Sequence, residues 1–140
     1  MYVLDTDYLT ALRRGGSAAH KLAARLDKIE PLEIATTIIN YEEQSRGWFS
    51  FAAQARTIEK QITAYKFLRS NLDDFCGCLM FDFDDQAAAT FQRLQQARIR
   101  IGTMDLKIAA VVLVNNAVLL TRNLSDFNQI PDLLAENWLD

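Results

Sequence analysis

The residues of this sequence best able to do chemistry are its carboxylates. Asp5 closes a short apolar run, Tyr2–Leu4, and Asp7 lies two residues on. Glu42 and Glu43 stand together in the stretch Tyr41-Glu42-Glu43-Gln44-Ser45-Arg46-Gly47-Trp48. Asp105 opens a nearly all-apolar stretch, and Thr121, Asn123 and Asp126 follow another apolar run, Ala117–Leu120. Two carboxylates about 4 Å apart repel by roughly 4 kcal/mol at an effective dielectric near 20. A gathering of three or four therefore implies a compensating cation. Oxygen donors without His or Cys point to Mg²⁺ or Mn²⁺ rather than zinc. Such an ion keeps several waters and takes phosphate oxygens, so phosphoryl chemistry is the expected class. Other chemistries have less to work with. Cys76 and Cys78 sit two apart and the only histidine is His20, too few ligands for a zinc site and no pairing for Ser–His or Cys–His catalysis.

The elements that must position these acids can be read from periodicity. The spacing predicts strands at Tyr2–Leu4, Leu32–Ala35, Cys78–Phe81 and Ala117–Leu120, with Trp138-Leu139 as a last edge strand. Between them it predicts helices over 8–14 (with Thr6 as cap), 17–29, 38–51, 54–73, 86–97 and 104–115. The fourth of these has the cleanest amphipathic stripe, Ile58, Ile62, Tyr65, Leu68 and Leu72, and the last is apolar all round, as a buried helix is. Alternating apolar strands and helices argue for an α/β fold of three layers, α/β/α, around a central parallel sheet of four to five strands. In such folds ligands bind beyond the carboxyl ends of the strands. Asp5, the Glu42/Glu43 pair, Asp105 and the Thr121–Asp126 segment all fall at that rim. Each has an ordinary reading alone: Asp5-Thr6 or Asp126 as helix caps, Asp105 as a partner of the helix dipole, Glu42 and Glu43 as solvent-face charges. Their joint placement favours a site.

The chain of 140 residues is half hydrophobic and 24% charged, with 5 Gly and 2 Pro and no repeat or linker. One domain over residues 1–140 is expected. No apolar stretch approaches a membrane span and the N-terminus does not resemble a signal peptide, so a cytoplasmic protein is expected. The net charge of −3 excludes a general basic coat. Arg13, Arg14, Arg46, Arg98, Arg100 and Arg122 nonetheless flank the acidic segments in sequence.

Taken in order, these segments resemble the PIN-domain family, and within it the VapC toxins of bacterial toxin–antitoxin pairs. The resemblance is carried by Leu4-Asp5-Thr6-Asp7, by Tyr41 to Trp48, by Ile101-Gly102-Thr103-Met104-Asp105 with Ile108-Ala109-Ala110, and by Leu119-Leu120-Thr121-Arg122-Asn123 with Asp126-Phe127. It covers the whole chain. It implies a metal-dependent endoribonuclease that hydrolyses RNA phosphodiester bonds, leaving a 5′-phosphate and a 3′-hydroxyl. Asp5 matches the family's first acid. Glu43 matches the second, four residues before Gly47, with Glu42 as the alternative. Asp105 matches the third. Where relatives carry a fourth Asp this chain has Asn123, so the fourth ligand is either Asn123 through its carbonyl or Asp126. Asp7 stands where relatives often have Asn or Ser. Thr6, Asp7 and Thr121 are placed beside the ligands, with the two threonines expected to hydrogen-bond the carboxylates. The resemblance further implies a homodimer and a VapB-like antitoxin, seated on the helices that carry Trp48, Phe49, Phe51 and the stripe from Ile58. Two other functions share some of these features: a phosphohydrolase of the haloacid-dehalogenase type with Asp5 as nucleophile, and a PIN module that binds a partner without catalysis.

Overall fold

The computed structural model describes all residues from Met1 to Asp140. Five parallel strands form one sheet: β1 (Tyr2–Leu4), β2 (Ile34–Thr37), β3 (Leu79–Phe81), β4 (Val118–Leu120) and β5 (Leu134–Glu136), in the order β3-β2-β1-β4-β5. The first strand is thus central, with Val3 opposite both Ala35 and Leu119. Seven α-helices connect the strands: α1 (Thr6–Arg14), α2 (Ser17–Leu26), α3 (Ile38–Gln54), α4 (Ile58–Cys76), α5 (Asp85–Gln96), α6 (Thr103–Val114) and α7 (Leu124–Phe127).

Side chains alternate across a strand, so each face of the sheet builds its own core. Val3 and Leu119 face the layer of α6, packing with Leu106, Ile108, Ala109, Val112 and Leu94 of α5. Leu4 and Leu120 face the opposite way, onto Tyr8, Leu22 and Leu26 of α1 and α2. Helix α6 lies between the sheet and α5, which accounts for a run, Ile108 to Val112, with no exposed residue. Truncating one of its large side chains would cost about 2–5 kcal/mol. Between α1 and α2 the chain reverses through Gly15 and Gly16, at φ 77° and 98°, where any side chain would be strained.

Several boundaries differ from those the sequence predicts, each for a local reason. The second strand is Ile34–Thr37, because Pro31–Glu33 forms a 3₁₀ turn and leaves Leu32 exposed. The first helix begins at Thr6 and is capped by Asp5, whose carboxylate accepts from the Thr6 N–H; Thr6 is not the cap. The long amphipathic helix starts at Ile58, capped by Thr57 through the Lys60 N–H. The last strand is Leu134–Glu136 and not Trp138-Leu139. Trp138 instead packs on Tyr2, ring centroids 4.9 Å apart, and Leu139 enters the α1/α2 core. No helix is long and apolar enough to cross a membrane.

Candidate active site

The site is built where β1 and β4 end and where α1, α3 and α6 begin. Asp5 leaves β1 with its N–H still paired to the Leu120 carbonyl, and only 6% of it is exposed. Its Oδ1 accepts from the Thr6 N–H at 2.8 Å and from Asn40 Nδ2 at 3.1 Å. Its Oδ2 accepts from the Thr121 hydroxyl at 2.8 Å. Thr121 is fully buried just past β4 and also receives the Asn123 N–H. Thr6 and Thr121 therefore both hold Asp5, the first through its backbone.

Glu43 sits in the second turn of α3 and Asp105 in the first turn of α6, both half-buried. Like charge and burial act on them together. Burial above all, then the charges of Asp7 and Asp105, push Asp5 up to about 6 against the opposing bonds from Thr121 and Thr6. Glu43 is pushed up to about 7 by burial and by the charges of Asp105 and Asp5, with a hydrogen bond from Thr6 opposing. Asp105 is raised by burial, then by Asp126 and Asp7, with Asn123 opposing. Glu42, one residue from Glu43, turns the other way and forms an ion pair with Arg46 one helical turn on. The two glutamates are thereby separated: Glu43 faces the other acids and Glu42 faces solvent.

Asn123 and Asp126 meet Asp105 rather than Asp5. Asn123 Nδ2 donates to Asp126 Oδ2 at 3.0 Å and points to Asp105 Oδ2 at 3.4 Å, while its Oδ1 faces the Ser125 hydroxyl. Asn123 thus presents a donor to the acids in this arrangement, and bridges two of them. Asp7 lines a neighbouring groove of about 500 Å³ with Thr6, Thr10, Arg14 and Arg122. Among the other flanking arginines, Arg13 pairs with Asp74 and lies over the Trp48 ring.

As they stand, no three His, Cys, Asp or Glu side chains close on one point tightly enough to ligate an ion. The donor chemistry still fits a hard divalent cation. All donors are oxygens, they come from separate elements, and their raised proton affinity is the cost a cation would relieve. His20 is exposed on α2, and the Cys78 thiol is raised by burial and by Asp74, which leaves it a poor nucleophile.

One residue at the site escapes the sequence reading. Asn40 is fully buried and bonds to both Asp5 and Thr6. A polar residue in the first turn of a helix reads as a solvated side chain or a helper of the cap. Its only signal is its place three residues after Thr37, which caps α3 through the Asn40 N–H.

Residues 2–133 match the family model described as PIN domain. Ribonuclease VapC1 of Haemophilus influenzae strain R2866 is 29% identical over 143 residues, 99% of this chain and 98% of that protein. Ribonuclease VapC2 of Rickettsia felis is 38% identical over 76 residues, 50% of this chain and 56% of that protein. That alignment therefore spans little more than half of the relative. Among solved structures, VapBC2 from Rickettsia felis bound to a promoter DNA fragment superposes with a TM-score of 0.73 at 27% identity, over 98% of both chains. VapBC-1 from nontypeable Haemophilus influenzae gives 0.69 at 26% identity, over 99% of this chain and 98% of that one. With the parallel five-strand sheet and the acidic rim in place, a family model spanning nearly every residue settles the kinship: the chain belongs to the PIN domain family.

Proposed function

We propose that this chain is a divalent-metal-dependent endoribonuclease and the toxin of a VapBC-type toxin–antitoxin pair. The observation that carries the reading is the placement of three poorly exposed carboxylates from separate elements, Asp5, Glu43 and Asp105, at the carboxyl end of the sheet. The charge of Asp105 acts on both of the others, and that of Asp5 acts on Glu43. The relatives named ribonuclease and the VapBC complexes among the structural neighbours support it.

In this reading Asp5, Glu43 and Asp105 hold Mg²⁺ or Mn²⁺, with Asp126 or Asn123 as the fourth contributor. The bound ion supplies an activated water and a Lewis acid for the scissile phosphate. Thr121 and Thr6 keep Asp5 fixed, and burial at the rim excludes bulk water from its carboxylate. Asn123 tethers Asp105 to Asp126, so the charge of Asp126 backs the third ligand. Arg14 and Arg122 stand at the neighbouring groove, where guanidinium groups would contact RNA phosphates on one side of the cut. An RNA substrate sets the place of action in the cytoplasm. The partners are an antitoxin and a second copy of the chain. For these, α3 and α4 offer exposed hydrocarbon: Phe49, Phe51, Ile58, Ile62 and Tyr65.

The test is cleavage of a labelled RNA with Mg²⁺, with Mn²⁺ and with excess chelator. Cleavage that needs the metal and disappears in Asp105→Asn is expected. Undiminished cleavage in chelator, or by that variant, would overturn the assignment. The toxin role is tested by expression in cells, with growth arrest relieved by the product of the adjoining gene. Growth unaffected by an active enzyme would count against it.

A further inference from the structure

Asn40 is the one fully buried side-chain amide in the molecule that touches the acidic rim, and its bonding is complete. Thr37 fixes it from below: the Thr37 hydroxyl donates to Asn40 Oδ1 at 2.7 Å and accepts from the Asn40 N–H at 3.1 Å. That leaves the amide only one way to face. Its Nδ2 carries two protons, and two acceptors lie in reach, Asp5 Oδ1 at 3.1 Å and the Thr6 hydroxyl oxygen at 3.0 Å. The reversed amide would set an oxygen against the Asp5 carboxylate.

Each bond has a directional consequence. Asp5 Oδ1 accepts from Asn40 and from the Thr6 N–H, which fills its two acceptor positions. Oδ2 accepts only from Thr121 and keeps one lone pair. On Thr6, the hydroxyl oxygen accepts the second amide proton, so both protons of the Asn40 amide are held. The amide therefore acts on Asp5 by direct contact, and Thr6 holds it in that orientation.

We propose that Asn40 is a positioning residue that orients the Asp5 carboxylate for a cation, leaving Oδ2 as the oxygen with a free lone pair to offer it. The inference rests on the metal-nuclease reading above. A buried cap residue with no further role would also keep α3 in place, so the test must read metal and not stability.

The experiment is Mn²⁺ titration of the purified full chain, followed by electron paramagnetic resonance, on wild type, Asn40→Ala and Asp105→Asn. Thermal melts and RNA cleavage are measured alongside. Orienting partners of metal ligands are worth about 10- to 100-fold in metal affinity. Asn40→Ala is therefore expected to raise the half-saturating Mn²⁺ concentration at least about tenfold while remaining folded. Its kcat should recover at saturating metal, with KM for RNA unchanged. A folded Asn40→Ala that binds Mn²⁺ like wild type overturns the proposal and leaves the nuclease reading intact. A wild-type chain that takes up no Mn²⁺ overturns the nuclease reading itself. If Asn40→Ala does not fold, Thr6→Val decides, because it removes one of the two acceptors that fix the Asn40 amide. Weaker Mn²⁺ binding there supports the proposal, and unchanged binding overturns it.

Discussion

The rim of the sheet and the outer side of the α3–α4 hairpin break the usual partition of residues in opposite directions. At the rim, Asp5 is buried and Glu43 and Asp105 half-buried, charge moved out of water. On the hairpin, Ile58 is 63%, Ile62 52% and Tyr65 66% exposed, hydrocarbon left in water. Both cost free energy in the isolated chain, and each cost has its own remedy. Concentrated negative charge in a small polar pocket is relieved by a compact cation. A row of apolar side chains along a helix is relieved by an apolar surface laid against it. The hairpin itself is already closed inside. Trp48 stacks on Phe67 at 4.8 Å, and Asn71 donates to Ser45 at 3.0 Å. The exposed stripe is thus surplus to the chain's own packing.

The contrast can be broken at either end. The largest effect is expected at the rim. Asp5→Asn should lower metal-dependent RNA cleavage about a thousandfold or more, since a metal site supplies several kcal/mol of transition-state stabilisation. Single-turnover kinetics at saturating metal would measure it, and retained activity would remove Asp5 from the ligand set. Next comes the hairpin. Ile62→Glu should weaken antitoxin binding by about 2 kcal/mol, roughly thirtyfold, with cleavage by the free chain unchanged. Calorimetric titration with the co-expressed partner reads the first and the nuclease assay the second. An equal loss in both would mean the two regions are not separable.

Smaller effects sharpen the electrostatic side. Asp5 and Glu43 are raised in the folded chain, so the native state holds more protons than the unfolded one between about pH 4 and pH 7. Metal-free stability should therefore fall as pH rises through that window. Glu43→Gln should remove part of the slope and raise the metal-free melting temperature at pH 8 by about 4 °C. A lower melting temperature would show that Glu43 is stabilising as a charge. The same groups must lose their protons to bind a cation, so Mn²⁺ uptake near pH 6.5 should release protons, seen as a dependence of the calorimetric heat on buffer. The smallest effect belongs to Glu42→Gln, which breaks a solvent-exposed pair with Arg46 worth about 0.5 kcal/mol or less and should leave cleavage unchanged.

What sequence reveals here follows from range. The alternation of apolar runs and the switch points at Asp5, Thr37 and Thr121 are local, and they place Asp5, the Glu42/Glu43 pair and Asp105 at one edge. Strand order is not local, and nothing in the sequence distinguishes a central β1 from an edge one. Asn40 stays hidden because a buried amide looks like an exposed one until its partners, 34 and 35 residues away, are known. Glu42 and Glu43 differ by one helical step, about 100°, and only the packing of α3 decides which faces inward. The stripe from Ile58 to Leu72 has the strongest periodicity in the chain, yet most of it faces out. An apolar stripe on a helix says that a face wants covering, not what covers it. Trp138-Leu139 misleads for a related reason: an apolar pair at the end of a sheet protein can cap a core as readily as extend a strand.

The bond between Asp5 and Thr121 joins residues 116 positions apart, and the strand that Asp5 ends is flanked by one made early and one made late. During translation the first acid is made well before its neighbourhood, which is not finished until β4 has left the ribosome. Every shorter nascent or prematurely terminated product lacks the hydroxyl that fixes Asp5 and the strand beside it. The acidic rim is thus a property of the assembled sheet and not of any single stretch of the chain.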